Sequence, residues 1–211
     1  MTELTQQTVH LYVPDGLSDW EPGYAIAGIN NSMWQIEPGR YQVQTAGASA
    51  EPVRTAGGVT ILPDLTLNDL DPARSAMLIL PGSSTFDEGK NQEALAKAKA
   101  FLAAGVPVAA IRGATYGLAS VGVLDDRRHT SSALMYVQQS PNYKGEALYQ
   151  DEPAFTDGDL ITASPTAPVD FAYHIFKKLG IYSDAVLDAW YGLFKTGEAS
   201  YFFTLQEAAA A

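Results

Sequence analysis

Short apolar runs that stop at glycine turns recur along the chain. Met77-Leu78-Ile79-Leu80 ends at Pro81-Gly82, and Val106-Pro107-Val108-Ala109-Ala110-Ile111 ends at Arg112-Gly113. Uninterrupted runs of this kind fit parallel strands buried on both faces. Between them Leu95, Ala98, Phe101 and Leu102 recur at helical spacing and Gly105 closes the segment, which predicts a helix over 91–105. A strand, a crossover helix and a strand make a right-handed unit of parallel sheet. Ligands in open α/β sheets bind where such strands end, so any site is expected around Gly82 to Thr85 and Arg112 to Tyr116.

The flanking pattern extends this plan. Thr8 to Val13 reads as a first, central strand ending at Pro14-Asp15-Gly16. Asp19 is the expected N-cap of a helix that carries Pro22 in its first turn and runs to about Ile36. Glu21 opens that helix near the mouth of the first strand, where its simplest role is to complement the helix dipole. Tyr41 to Ala46 alternates as a strand, and Pro52–Thr55 with Val59–Leu62 make a hairpin across Gly57-Gly58. Leu67 to Leu70 is a short helix at best. A helix opening on small residues follows Arg112 and ends near Gly122, and Ser131 or Ser132 caps another over Ala133–Gln139. Leu148–Gln150, Ala154-Phe155 and Leu160–Ala163 are read as closing strands, the last pair joined at Asp157-Gly158. Helices are expected over Pro165–Leu179 and from Ser183 to about Lys195. The tail from Tyr201 reads equally as a docking helix or a frayed end. The whole, 1–211, is expected to form one domain with a helical extension over about 183–211.

Composition narrows the function classes. Twenty-four acidic against 13 basic residues give a formal charge of −11, which argues against nucleic acid or an acidic membrane surface as partner. The chain contains no cysteine, so disulfides, thiolate metal sites and cysteine nucleophiles are excluded. Its three histidines are scattered, and neither a metal nor a cofactor is expected. Met1 to Gln7 is polar and no window approaches a membrane span, so a cytoplasmic protein is expected.

The stretches Leu80-Pro81-Gly82, Ala110 to Ala119 and Gly122 to Ser131, with Asp19-Trp20-Glu21 and Asp157 to Ala163 in order around them, resemble the ThiJ/PfpI family of the class I glutamine amidotransferase-like superfamily. The resemblance implies an α/β, flavodoxin-like three-layer sandwich with a mostly parallel central sheet, usually assembled as a homodimer. It also implies a strand–nucleophile-elbow–helix at 106–121. In that family a reactive cysteine stands on the elbow, a glutamate touches it, and backbone amides form an oxyanion hole. Carried over, the nucleophile position is Arg112, the glutamate is Glu21, and the amides are those of Gly82 or Ser83 and Gly113. A guanidinium is no nucleophile near neutral pH, so thiol-dependent amidotransferase, peptidase, glyoxalase and isonitrile hydratase activities are not expected. Ser83, Ser84, Thr85 and Thr115 are the substitute hydroxyls by location.

An arginine at a helix N-terminus meets the positive end of the dipole and needs a negative partner. Either Glu21 supplies it and the pair fills the pocket, or Arg112 and the adjacent amides hold an anion. The second reading gives Gly82, Ser83, Arg112, Gly113 and Thr115 as binding residues for a small anionic or carbonyl-bearing ligand. His129 is a candidate general acid or base, or an ordinary loop histidine beside Arg127 and Arg128. Three function classes follow: a divergent binding domain, a hydrolase or lyase working without cysteine, and a dimeric stress-associated protein whose surface matters.

Overall fold

The computed structural model describes residues 6–210. Among the described residues nine strands form, β1 (Gln7–Tyr12), β2 (Tyr41–Gly47), β3 (Val53–Arg54), β4 (Thr60–Ile61), β5 (Leu65–Thr66), β6 (Ser75–Leu80), β7 (Val108–Ile111), β8 (Ala154–Asp157) and β9 (Leu160–Ala163). The helices are α1 (Trp20–Asn30), α2 (Gln92–Ala103), α3 (Gly113–Ser120), α4 (Leu134–Val137), α5 (Pro168–Leu179), α6 (Asp184–Thr196) and α7 (Ala199–Ala210). Seven strands make one sheet in the order β5-β2-β1-β6-β7-β9-β8. All pairs are parallel except β8–β9. The β3–β4 hairpin stands apart, with Val53 opposite Ile61.

Alternation along the strands creates the three layers. Val9, Leu11, Met77, Ile79, Ala109, Ile111 and Ile161 point to one face, where they meet Ile29 of α1, Phe171, Ile175 and Phe176 of α5 and Trp190 of α6. Tyr12, Leu78, Leu80, Val108, Ala110 and Leu160 point to the other, against Leu95, Ala98 and Phe101 of α2 and Ala114 and Leu118 of α3. With both faces covered, the central strands read as continuous apolar runs, each fully buried aliphatic side chain contributing about 1.5–3 kcal/mol.

Several local expectations are corrected. The middle of the sheet is β6, with β1 beside it. Helix α1 stops at Asn30 because the Gln35 amide donates to the carbonyls of Gly28, Ile29 and Asn31, each at 2.9 Å. The chain then turns through Trp34 at φ 68°. Asp19 stands at the N-cap position of α1 as expected, but its side chain caps nothing; its carboxylate accepts the Gly57 N–H at 2.6 Å and ties the β3–β4 hairpin to the approach of α1. Neither Ser131 nor Ser132 caps a helix, and α4 is a four-residue turn of helix behind Ala133. Around Leu148–Gln150 a 3-10 turn and an isolated bridge from Tyr149 to His129 replace the expected strand. The tail is a docked helix, α7, with Leu205 fully buried.

Candidate functional site at the strand ends

The order of strands reverses between β1 and β6, since the chain moves from β1 outward to β2 and β5 before returning. A crevice opens at such a switch point, beyond the carboxyl ends of the strands. Three segments meet there: the link from β1 to α1, the Pro81-Gly82-Ser83 turn after β6, and the step from β7 into α3.

The last of these is a sharp elbow. Arg112 has φ 54° and ψ −123°, a conformation that costs a non-glycine residue about 1–3 kcal/mol. Its N–H donates to Ala163 O on β9 at 3.1 Å. Its carbonyl accepts the Thr115 N–H at 2.9 Å and the Thr115 hydroxyl at 2.6 Å. Thr115 Oγ1 also lies 2.6 Å from Ser131 Oγ. Thr115 is thus buried beneath the elbow with its hydroxyl engaged, and it clamps the turn. Gly113 has to lack a side chain, because a Cβ there would sit 2.5 Å from Ser83 O.

Glu21 projects into the same place from the first turn of α1 and is completely buried. Its Oε2 accepts the Gly82 N–H at 2.6 Å. Its Oε1 has no hydrogen-bond partner among the described residues and lies 4.0 Å from Arg112 Nη1, too far for a hydrogen bond. Burial pushes the Glu21 carboxyl up from 4.5 to about 7, against the opposing pull of the Gly82 N–H, the Arg112 charge and the Ser18 hydroxyl.

The Arg112 guanidinium is held on one side. Nη1 donates to Ser18 Oγ at 2.6 Å, while the side chain keeps 36% of its surface exposed. Among the described residues, Nε and Nη2 make no hydrogen bond. Ser18 was not singled out from the sequence, although Ser18-Asp19-Trp20-Glu21 has the Ser-x-x-Glu spacing of a helix start. Tyr136 of α4 also feels the Arg112 charge; its phenol is raised far above the ordinary value by burial and by its hydrogen bond to Asp87, with Arg112 acting the other way.

The candidate amides separate. The Gly82 N–H is taken by Glu21, whereas those of Ser83 and Gly113 donate to no group among the described residues. The Ser83 amide is close by: a Cβ on Gly113 would lie 3.5 Å from Ser83 N. The Ser83 hydroxyl is buried, donating to Asp15 O at 2.7 Å and paired with Thr85 Oγ1 at 2.9 Å. The structure does not bring His129 to this group. Its Nδ1 meets Arg127 O at 2.7 Å and its Nε2 meets the Tyr143 hydroxyl at 2.9 Å. The ring packs edge-on against Tyr143 and Tyr149, and burial lowers its pKa.

Fold and site together define a doubly wound α/β domain with a strained strand–elbow–helix at its topological switch point. The chain belongs to the DJ-1/PfpI family, whose model matches residues 7–178. It is 42% identical over 199 residues to a Bacillus subtilis protein named as an uncharacterised protease, YoaZ, which spans 93% of this chain and 95% of that one. Among solved structures, it is similar to a ThiJ/PfpI family protein from Bacillus anthracis, with TM-score 0.90 and 41% identity over 97% of this chain and 98% of that one. A DJ-1 superfamily protein from Agrobacterium tumefaciens follows the same path, with TM-score 0.82 and 30% identity over 91% of this chain and 99% of that one. This chain contains no cysteine, and Arg112 stands on its elbow. No helix among the described residues is long and apolar enough to cross a membrane.

Proposed function

We propose that this DJ-1/PfpI domain works without thiol chemistry and binds a small anionic or carbonyl-bearing molecule at the elbow. The observation that carries this reading is the half-engaged guanidinium of Arg112. Ser18 holds its inner edge at 2.6 Å, with Glu21 4.0 Å away, so the side chain is oriented before any ligand arrives. Its outer Nε–Nη2 edge offers two parallel donors, the geometry that matches two oxygens of an anion. The unengaged N–H groups of Ser83, in the turn after β6, and Gly113, at the start of α3, add donors; the helix N-terminus at Gly113 favours anions. The ligand-binding role therefore falls to Arg112 with the Ser83 and Gly113 amides, and Thr115 and Gly82 shape the site from behind.

A hydrolase or lyase mechanism finds less support. The Ser83 and Thr115 hydroxyls donate to the backbone carbonyls of Asp15 and Arg112. Neither has a histidine in contact, as an activated hydroxyl nucleophile requires.

The test is a titration of the protein with formate, acetate, glyoxylate and inorganic phosphate at pH 6, followed by amide NMR shifts. Binding that moves the Ser83 and Gly113 amides and is lost in Arg112→Ala is the expected result. No binding by any of these, or equal binding by Arg112→Ala, overturns the reading.

A further inference from the structure

We propose that carboxylate anions enter this site together with one proton, which Glu21 takes up, so that the buried Glu21–Arg112 contact sets the affinity for the anion. This rests on the anion-binding reading of the elbow and assigns its ligand class and its control.

The inference follows from how one guanidinium is shared. On its inner side stands a carboxyl with zero exposure, one oxygen on the Gly82 N–H at 2.6 Å and the other without a partner, 4.0 Å from Nη1. On its outer side are the unengaged donors. When Glu21 is ionised, it and Arg112 cancel, and an arriving anion meets a neutral pair with a buried negative charge close behind. When Glu21 is protonated, the full charge of Arg112 faces the anion. Binding therefore favours the protonated carboxyl: anion and proton enter together, and no net charge is added beside a fully buried carboxyl.

The surroundings leave this as the coupling that matters. Arg112, from the elbow, is the charged group that faces Glu21; the turn after β6 presents only the Gly82 N–H, and the approach to α1 presents the Ser18 hydroxyl. Asp19, two residues before Glu21, is turned away to Gly57. A monoanion with two equivalent oxygens fits the Nε–Nη2 edge, whereas a dianion brings a second negative charge toward Glu21. Carboxylates are accordingly favoured over phosphate dianions.

With the free-protein carboxyl titrating at about 7, the effect falls in a convenient range. Affinity is flat below that pH. Above it, affinity falls by about tenfold per pH unit until the higher titration point of the bound form is reached.

Acetate is the probe, since it stays ionised throughout. Its dissociation constant is measured from pH 6 to pH 8.5 at fixed ionic strength by NMR titration, on the wild type and on Glu21→Gln. The wild type is expected to show the sloping profile and Glu21→Gln a flat one. A carbon-13 titration of the Glu21 carboxyl in the wild type, with and without saturating acetate, is independent of how well the variant folds; acetate is expected to move its midpoint upward. Acetate binding with a pH-independent constant and an unmoved Glu21 midpoint overturns proton uptake and leaves the anion site standing. Failure of acetate to bind at pH 6 overturns the assignment of carboxylates as the ligand class, and equal binding by Arg112→Ala overturns both readings.

Discussion

Glu21 makes the folded state sensitive to pH in a direction opposite to that of an ordinary paired carboxylate. Its folded value of about 7 lies above the ordinary 4.5, so between these points the folded protein holds a proton that the unfolded chain has released. Stability then falls as pH rises, by about 1.4 kcal/mol per pH unit for one proton. The full difference is about 3 kcal/mol, fully present as a penalty above pH 7 and absent below pH 4.5. Glu21→Gln removes the titration and retains an oxygen for the Gly82 N–H. Urea unfolding of both proteins at intervals from pH 5.5 to pH 8 isolates the group, because every other carboxyl is common to the pair. Relative to the variant, the wild type is expected to lose about 2 kcal/mol across that range, most of it below pH 7. A flat difference, or a wild type that gains on the variant with rising pH, would mean that Glu21 is a stably ionised partner of Arg112, and the reasoning from its burial would be wrong.

Two further outcomes test the elbow and its neighbour. Arg112→Gly and Arg112→Ala both remove the guanidinium, but only glycine adopts φ 54°, ψ −123° without strain; by urea unfolding the glycine variant is expected to be more stable by about 1 kcal/mol or more, and equal stability would show an unstrained turn. Tyr143→Phe leaves His129 Nε2 without its partner and is expected to lower stability by about 1–3 kcal/mol while acetate affinity at pH 6 stays unchanged; a loss of affinity would bring His129 into the site after all.

How much of this was legible in the sequence differs by level. The strands β6 and β7, the helix between them and the elbow announce themselves because a sheet buried on both faces demands uninterrupted apolar runs, and each run here ends at a glycine. The early end of α1 was hidden because the residues after Asn30 are as apolar as those before it; Gln35, folding back to cap three carbonyls, decides the boundary, and no periodicity reports a side chain's return. Asp19 has the residue type of an N-cap, yet a tertiary partner, the Gly57 N–H, competes for it and wins. At the site, the positions of Glu21, Arg112 and Gly113 follow from the resemblance. The division of the amides does not, because which N–H is free depends on where the Glu21 carboxyl comes to rest. His129 was drawn toward the site by its place in the chain, but its ring is closed in by Arg127, Tyr143 and Tyr149.

Three features at the elbow are individually unfavourable: a non-glycine residue at positive φ, a buried carboxyl with one oxygen unpartnered among the described residues, and two backbone N–H groups that donate to no group among them. An inert plug would explain only the first two, with Arg112 turned inward to neutralise Glu21. It would also predict direct hydrogen bonds between the guanidinium and the carboxylate, as an ion pair in a dry pocket needs in order to offset desolvation. Instead the guanidinium binds the neutral Ser18 hydroxyl at 2.6 Å and stops 4.0 Å short of Glu21. That gap fits a carboxyl that shares its proton with solvent near pH 7, as its burial dictates, and a cation kept for something outside. A single anion against the outer edge of Arg112 would engage the amides of Ser83 and Gly113, which a closed ion pair leaves without a partner.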